Sequence, residues 1–496
     1  MSGLRLEDAR GAYDAIVVGS GAGGGTLTLG LARRGARVLL VESGDFLRLQ
    51  PSDAGEQPGV YMYGLMRPDD EVTCVGGSTK FYGAALYRFR ESDFRAVEHE
   101  AGVSPAWPFG YEALEPYYAE AERLYRVHGA AGDDASEPFR AGPFPHAPLP
   151  HDPLVGAVMA RLRAAGARLS DIPRGLDYGS GGACIMCATC DAHFCTRDAK
   201  MDAETAAVRP ALATGNVDLL TRTDCARVIT SIDGRRAEGV VLVQDGNERT
   251  LHAPVIAVCA GQTRTALLLR RSRTDKHADG LGNHAGMLGR GVAGHMTGVF
   301  FALVSAAPMG PRHTKSFAMN TYYDGAPGWT HPVGVLQIAG QAPIWNDARR
   351  VLRPIVKAIA ERSLMCFHMT EALPSRDSGF VFEGDRIVAE APPRFCGGSY
   401  KRIRELAMKA FGRAGYPVIP ALRKPQLWHK TGGAIMGNDP AQSVTDGHGQ
   451  IHGVEGLYVI DASSLPSAGA VNTGLTIMAL ALRAADTIAA SGRAPA

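Results

Sequence analysis

An α/β fold built on a Rossmann-type dinucleotide-binding domain is predicted by three features close to the N-terminus. The apolar run Ala15-Ile16-Val17-Val18 has the unbroken hydrophobicity of a buried parallel strand. Gly19, Gly21 and Gly24 follow at G-x-G-x-x-G spacing, ahead of a helical stretch from Thr26 to Arg34 that Gly35 stops. A second short strand, 37–41, ends at Glu42, about 20 residues beyond the glycines. A chain with 60 glycines produces such a motif by chance easily, so the weight lies in the coincidence of strand, glycines, helix and strand-ending acid.

Each part has its own physical task. The glycines permit a tight turn, a close approach of backbone to a pyrophosphate, and close packing of helix on strand. The phosphates belong at the helix N-terminus, where unpaired N–H groups and the dipole favour negative charge. Gly19, Gly21, Ala22 and Gly24 are therefore the candidate phosphate contacts. Glu42 is the candidate acceptor for a ribose 2′- and 3′-hydroxyl pair, and its charge would repel a 2′-phosphate, which argues against NADP. The motif alone does not separate FAD from NAD.

The totals are those of an ordinary globular protein: 496 residues, 45% hydrophobic, 21% charged. A net charge of +2 gives no electrostatic case for nucleic acid or for an anionic membrane. No window approaches the roughly 20 apolar residues of a spanning helix, and the start at Met1 lacks the apolar core of a secretory signal. A soluble cytoplasmic protein is expected, with its nine cysteines as thiols or metal ligands rather than a disulfide framework.

Residues 43–70, polar and broken by Pro51, Pro58 and Pro68, read as an extended surface excursion. Then comes Cys74-Val75-Gly76-Gly77-Ser78-Thr79-Lys80-Phe81-Tyr82-Gly83, whose paired glycines and small hydroxyl residues suit a backbone laid against a flat ring or a diphosphate. This segment resembles the second signature of the glucose–methanol–choline (GMC) flavoprotein oxidoreductases, where the loop runs beside the flavin. The resemblance implies FAD rather than NAD and assigns Gly76, Gly77, Ser78, Thr79 and Gly83 to the cofactor. Some members attach the flavin through a histidine in this loop. Thr79-Lys80-Phe81-Tyr82 contains none, so a non-covalent FAD is expected.

The aromatics between Trp107 and Tyr118 read as core at helical spacing, and His146 and His151 as solvated loop residues. The run Cys184, Cys187, Cys190, Cys195 has C-x2-C-x2-C-x4-C spacing, close to a ferredoxin pattern. Four thiolates so near one another suit Zn2+ or an iron–sulfur cluster. Only one such run exists, however, and GMC-like sequences carry a Cys-rich segment here ahead of a step such as Ala199-Lys200. Thiols or disulfides that shape a loop are the favoured reading.

Short strands at 217–221, 226–231 and 238–244 precede a buried strand from Val255 to Val258 that turns at Ala260 and Gly261. In the family this element closes the central sheet beside the cofactor. The turn Leu288 to His295 then returns the chain to a substrate domain. Residues 296–425 read as a mixed sheet with helices on one side, forming the wall over the flavin; Glu371 and Asp377 within it are candidates to line a cationic substrate's pocket, with solvated surface carboxylates the favoured reading.

The closing segment resembles the family over some 65 residues: His429-Lys430-Thr431-Gly432-Gly433, the strand 457–460 ending at Asp461 and Ala462, and Asn472-Thr473 leading to a helix after Thr476. Gly433 stands where the family usually has threonine. The match puts His429 at the active-site histidine and Asn472 at its partner, with Asp461, Ala462, Asn472, Thr473 and Thr476 against the cofactor. An imidazole with its pKa near working pH can accept an alcohol's proton.

The implied protein is an FAD-dependent alcohol oxidase or dehydrogenase. Its FAD-binding domain would be discontinuous (1–95, 175–295 and 426–496) and its substrate domain would comprise 96–174 and 296–425. Within the family it is similar to bacterial sugar and aminosugar alcohol oxidases of antibiotic biosynthesis, which implies the 6′-hydroxyl of an aminoglycoside intermediate as substrate and O2 or another acceptor for the electrons. The rivals are a flavoprotein subunit passing electrons through a cluster at Cys184 to Cys195, a non-catalytic FAD-binding protein, and an NAD-dependent dehydrogenase.

Overall fold

The computed structural model describes residues 3–47, 59–61, 72–341, 344–347, 349–421 and 424–492. Most of the expected excursion at 43–70 lies outside them. The Rossmann expectation is met by a five-stranded parallel sheet in the order Val217–Leu220, Val38–Val41, Ala15–Val18, Val255–Val258, Leu457–Val459. The chain starts in the middle, builds out to one edge, then crosses to the other. The reversal falls between Ala15–Val18 and Val255–Val258, which is where doubly wound sheets hold their ligands.

Both faces of this sheet are covered, and that explains the unbroken apolar runs. Ala15 and Val17 join a core with the helices Ala22–Arg33, Glu115–Leu124 and Gly474–Ala490. Ile16 and Val18 join a second core beneath a three-stranded antiparallel sheet, Asp224–Thr230, Ala237–Gln244 and Asn247–His252. The last of these was not anticipated, because Asn247 to Thr250 is polar. The first helix starts at Ala22 rather than Thr26: its opening turn is Gly23-Gly24-Gly25, poor helix formers tolerated because the backbone must come close. A Cβ on Gly23 would stand 1.8 Å from the Ile460 carbonyl oxygen, and one on Gly30 2.7 Å from Ala485 Cβ on the C-terminal helix.

A second, eight-stranded sheet is antiparallel in its pairings and runs Val418–Pro420, Ala293–Leu303, Ser363–Leu373, Val335–Ile338, Phe317–Met319, Ser170–Asp171, with Arg394–Phe395 and Gln426–Thr431 paired at its side. Helices Pro153–Ala164 and Gly397–Arg413 cover one face, packing Val155, Leu162, Ala407 and Phe411 on Phe300, Leu336, Ile338 and Cys366. Side chains alternate along a strand, so Gln337, between Leu336 and Ile338, points to the other face. His295 and Glu371 share that face as direct cross-strand partners.

Candidate active site

Most of the residues assigned to the cofactor converge at the C-terminal ends of the parallel strands. Gly19 has φ +101°, and a Cβ there would lie 2.2 Å from the Cys259 carbonyl oxygen across the switch point. A Cβ on Gly24 would lie 1.9 Å from the Gly19 oxygen. Gly21, the residue before the first helix, would carry a Cβ with nothing described within 4 Å, and no side chain caps the helix there. That is an uncapped helix N-terminus facing open space, as a pyrophosphate requires. The loop Gly76 to Thr79 is drawn alongside: Gly76 N–H donates to Ser20 Oγ at 3.1 Å, and a Cβ on Gly77 would be 3.2 Å from Gly21 Cα. Gly76 and Gly77 both have positive φ, +91° and +54°. Thr79 Oγ1 donates to Gly76 O and accepts from Ala203 N–H, holding the loop from behind, while Ser78 stays exposed. Ala22, Ala260, Gly261 and Ala462 stand half-buried around the same opening, and Thr473 and Thr476 are buried at the start of the C-terminal helix.

Two carboxylates brace the opening. Glu42 accepts from Ser20 N–H (3.1 Å), Ser20 Oγ (2.6 Å) and Gly44 N–H (2.9 Å). Burial raises its pKa against the pull of those donors. Asp461 ties the last two parallel strands together: one oxygen accepts from Gly261 N–H and Thr265 Oγ1, the other from Ser463 N–H and Oγ. Gly83 lies farther off, packed so tightly on Asp191 that a Cβ would meet its Oδ1 at 1.8 Å.

His429 comes from a strand that is bulged at that point. Ala293 pairs with Thr431 and His295 with Trp428, so His429 and Lys430 face only Gly294. The extra residue throws His429 into the left-handed region, φ +50°, and bulges of this kind re-aim side chains beside active sites. Gly294 accommodates it, since a Cβ there would be 2.9 Å from the Trp428 oxygen. His429 Nε2 lies 3.4 Å from Asn472 Nδ2, and Asn472 Oδ1 accepts from Gln337 Nε2 at 2.8 Å. On its other side His429 Nδ1 is 2.9 Å from His295 Nδ1. Burial pushes the His429 pKa down to about 3, with His295 and then the Lys315 ammonium adding to it and Asp191 opposing. Lys315 and Asp191 form an ion pair at 2.9 Å.

The structure therefore brings together His429 and Asn472, which the sequence had named, and adds His295 and Gln337, which it had not. Gln337 left one trace in the sequence, a lone polar residue in an apolar strand. Glu371 corrects an expectation. It is 4% exposed rather than solvated, because it accepts from Ser104 Oγ and from the Ala468 and Gly469 N–H groups and pairs with His99 at 3.3 Å. Asp377 is exposed, as expected, and His146 and His151 are half-buried, the one stacked on His128 and the other paired with Asp171. Trp107, Tyr111 and Tyr118 are core residues. The four cysteines between 184 and 195 are free, and among the described residues no three His, Cys, Asp or Glu side chains are grouped to hold a metal ion, which leaves the cluster reading without support.

Models of the GMC oxidoreductase family match residues 13–297 and 404–481. The chain belongs to that family. This GMC oxidoreductase is 30% identical to the paromamine 6′-oxidase of Streptomyces fradiae, over 96% of this chain and 91% of that one. It is 28% identical to the 6‴-hydroxyparomomycin C oxidase of Streptomyces lividus, over 98% and 93%. In fold it is similar to the crystal structure of pyridoxine 4-oxidase from Mesorbium loti, with a TM-score of 0.66 at 18% identity over 96% of this chain and 98% of that one. It is an FAD-dependent oxidoreductase acting on the CH–OH group of a small-molecule alcohol.

Proposed function

We propose that this GMC oxidoreductase oxidises a primary or secondary alcohol on a sugar or aminosugar, with the 6′-hydroxyl of an aminoglycoside intermediate as the preferred candidate. The observation that carries the chemistry is the His429–Asn472 pair, an imidazole Nε2 and an amide Nδ2 3.4 Å apart at the junction of the two sheets. A neutral imidazole has a lone pair for the hydroxyl proton; burial keeps His429 neutral across the physiological range and, contrary to the expectation of a pKa near working pH, makes it a weaker base. An amide N–H of Asn472 then orients the alcohol oxygen, which is a positioning contribution. Gln337, hydrogen-bonded to the far end of the Asn472 amide at 2.8 Å, holds that side chain in place beside the histidine. The sugar assignment rests on the likeness to the two Streptomyces oxidases.

Gly19, Gly21, Ala22, Gly24 and the loop 76–79 would hold the cofactor's phosphates and ring system non-covalently, with Glu42 at a ribose and Ala260, Gly261, Asp461, Ala462, Thr473 and Thr476 closing the opening. FAD, when bound, supplies the hydride acceptor. The domain bounds given above, a cytoplasmic location and reoxidation by O2 or another acceptor belong to the same proposal. Among the described residues no helix is long and apolar enough to cross a membrane.

An anaerobic absorbance titration of the purified protein tests the reading. Aminosugars with a free primary hydroxyl are expected to bleach the flavin bands, and admitting air distinguishes an oxidase from a dehydrogenase that needs another acceptor. Bleaching by simple diols but by no sugar would overturn the substrate class.

A further inference from the structure

A buried carbonyl decides which nitrogen of His429 carries the proton. His295 is fully buried, and its Nε2 lies 3.1 Å from the carbonyl oxygen of Ala468. A carbonyl oxygen only accepts, so His295 Nε2 must bear hydrogen. Burial lowers the pKa of His295, which leaves the ring neutral with a single N–H. Its Nδ1 is then a bare acceptor. The 2.9 Å contact between the two Nδ1 atoms therefore runs in one direction, with His429 Nδ1–H donating.

We propose that His295 is a positioning residue that locks His429 in the Nδ1–H tautomer, leaving Nε2 unprotonated and aimed at Asn472 and the substrate hydroxyl. The inference rests on the reading of His429 as the proton acceptor. When the alcohol O–H breaks, its proton forms a bond to His429 Nε2. The imidazolium so produced keeps its Nδ1–H on His295, and no second proton has to move. Beyond the Ala468 and Gly469 backbone beside His295, three charged groups bear on the pair. Lys315 disfavours the positive charge, Asp191 favours it, and Glu371, the cross-strand partner of His295, places a carboxylate behind that ring, itself paired with His99. Neutral histidine in water prefers the opposite tautomer, with hydrogen on Nε2, in which the base would present an N–H to the substrate and fail.

The test is 15N NMR of histidine-labelled holoenzyme in the oxidised state, with the His429 signals assigned by their loss in His429→Ala. Wild type is expected to show a protonated Nδ1 and a bare Nε2 at His429. In His295→Leu the tautomer should revert toward Nε2–H, with flavin reduction about 100-fold slower and KM little changed. His295→Gln should restore both, because its amide oxygen can accept from His429 while its N–H2 donates to Ala468. An Nε2–H tautomer in wild type would overturn the proposal, as would a His295→Leu enzyme with unaltered tautomer and rate. If His295→Leu does not fold, the wild-type spectrum and His295→Gln still decide. Failure of the underlying reading is distinguishable, for then His429→Ala would still reduce its flavin with alcohol, whatever the tautomer.

Discussion

The two sheets solve different problems, and they differ in how much of the answer is local. At the C-terminal ends of the central parallel strands the proposed cofactor cradle is made of backbone: Gly19, Gly21, Gly24, Gly76 and Gly77 matter because they lack a side chain. On the face of the antiparallel sheet the proposed proton-transfer site is made of side chains, and His295, Gln337, His429 and Asn472 arrive from four separate segments. A backbone site is written in short contiguous motifs, since one turn and one helix start suffice. A side-chain site depends on register and on a bulge, and neither is spelled in any one segment.

The largest expected effect lies at the cradle. Gly24→Val would drive a side chain into the Gly19 carbonyl oxygen, 1.9 Å from the Cβ position, and there is no flexible neighbour to yield. The variant should yield little folded protein and no bound flavin, seen as a lost 450-nm-type absorbance and a collapsed thermal transition. Gly21→Ala sharpens the contrast. Its Cβ meets nothing described within 4 Å and its φ is −69°, so the apoprotein should fold with an unchanged Tm. FAD affinity should nevertheless fall by about tenfold or more, or roughly 1.4 kcal/mol, because the methyl group fills the space offered to the pyrophosphate. Unchanged affinity would break the account of the cradle.

On the side-chain face, Gln337→Leu should leave FAD content and Tm near wild type while slowing flavin reduction by roughly tenfold, because the Asn472 amide loses the hydrogen-bond partner that holds it in place. Stopped-flow reduction with a saturating alcohol measures this. A smaller effect is expected from pH. Burial holds His313 and His368 at about 3, below the ordinary value near 6.5. At these two histidines the unfolded chain binds more protons than the folded one below about pH 6.5, so their share of the stability falls as pH drops toward 3, while Asp93, raised by burial to about 7, has the opposite slope. His368→Phe should therefore raise Tm at pH 5 relative to pH 7 by about 2 °C compared with wild type, measured by calorimetry or flavin fluorescence.

The sequence carried the parallel half well. The strand-glycine-helix run, Glu42, the turn at Ala260 and the closing strand at Asp461 stand where their residue patterns suggested, since continuous apolar runs and glycine spacing report directly on burial and close approach. It named His429 and Asn472 through resemblance and not through periodicity. Glu371 was misread because a lone carboxylate in a strand looks solvated until the backbone N–H groups of Ala468 and Gly469, nearly 100 residues on, are known to point at it. His295 was passed over for a related reason: its partner lies 134 residues away, across a bulge that only the register of Ala293 to His295 against Trp428 to Thr431 discloses.

The most direct measurement is the rate of anaerobic flavin reduction by one saturating alcohol in wild type and in His429→Ala, at equal FAD content and pH 7. The account predicts that His429→Ala binds FAD normally and is reduced about 100- to 10,000-fold more slowly, the span expected for loss of a general base. Reduction at the wild-type rate would contradict it and would move the site of proton removal away from the junction of the two sheets.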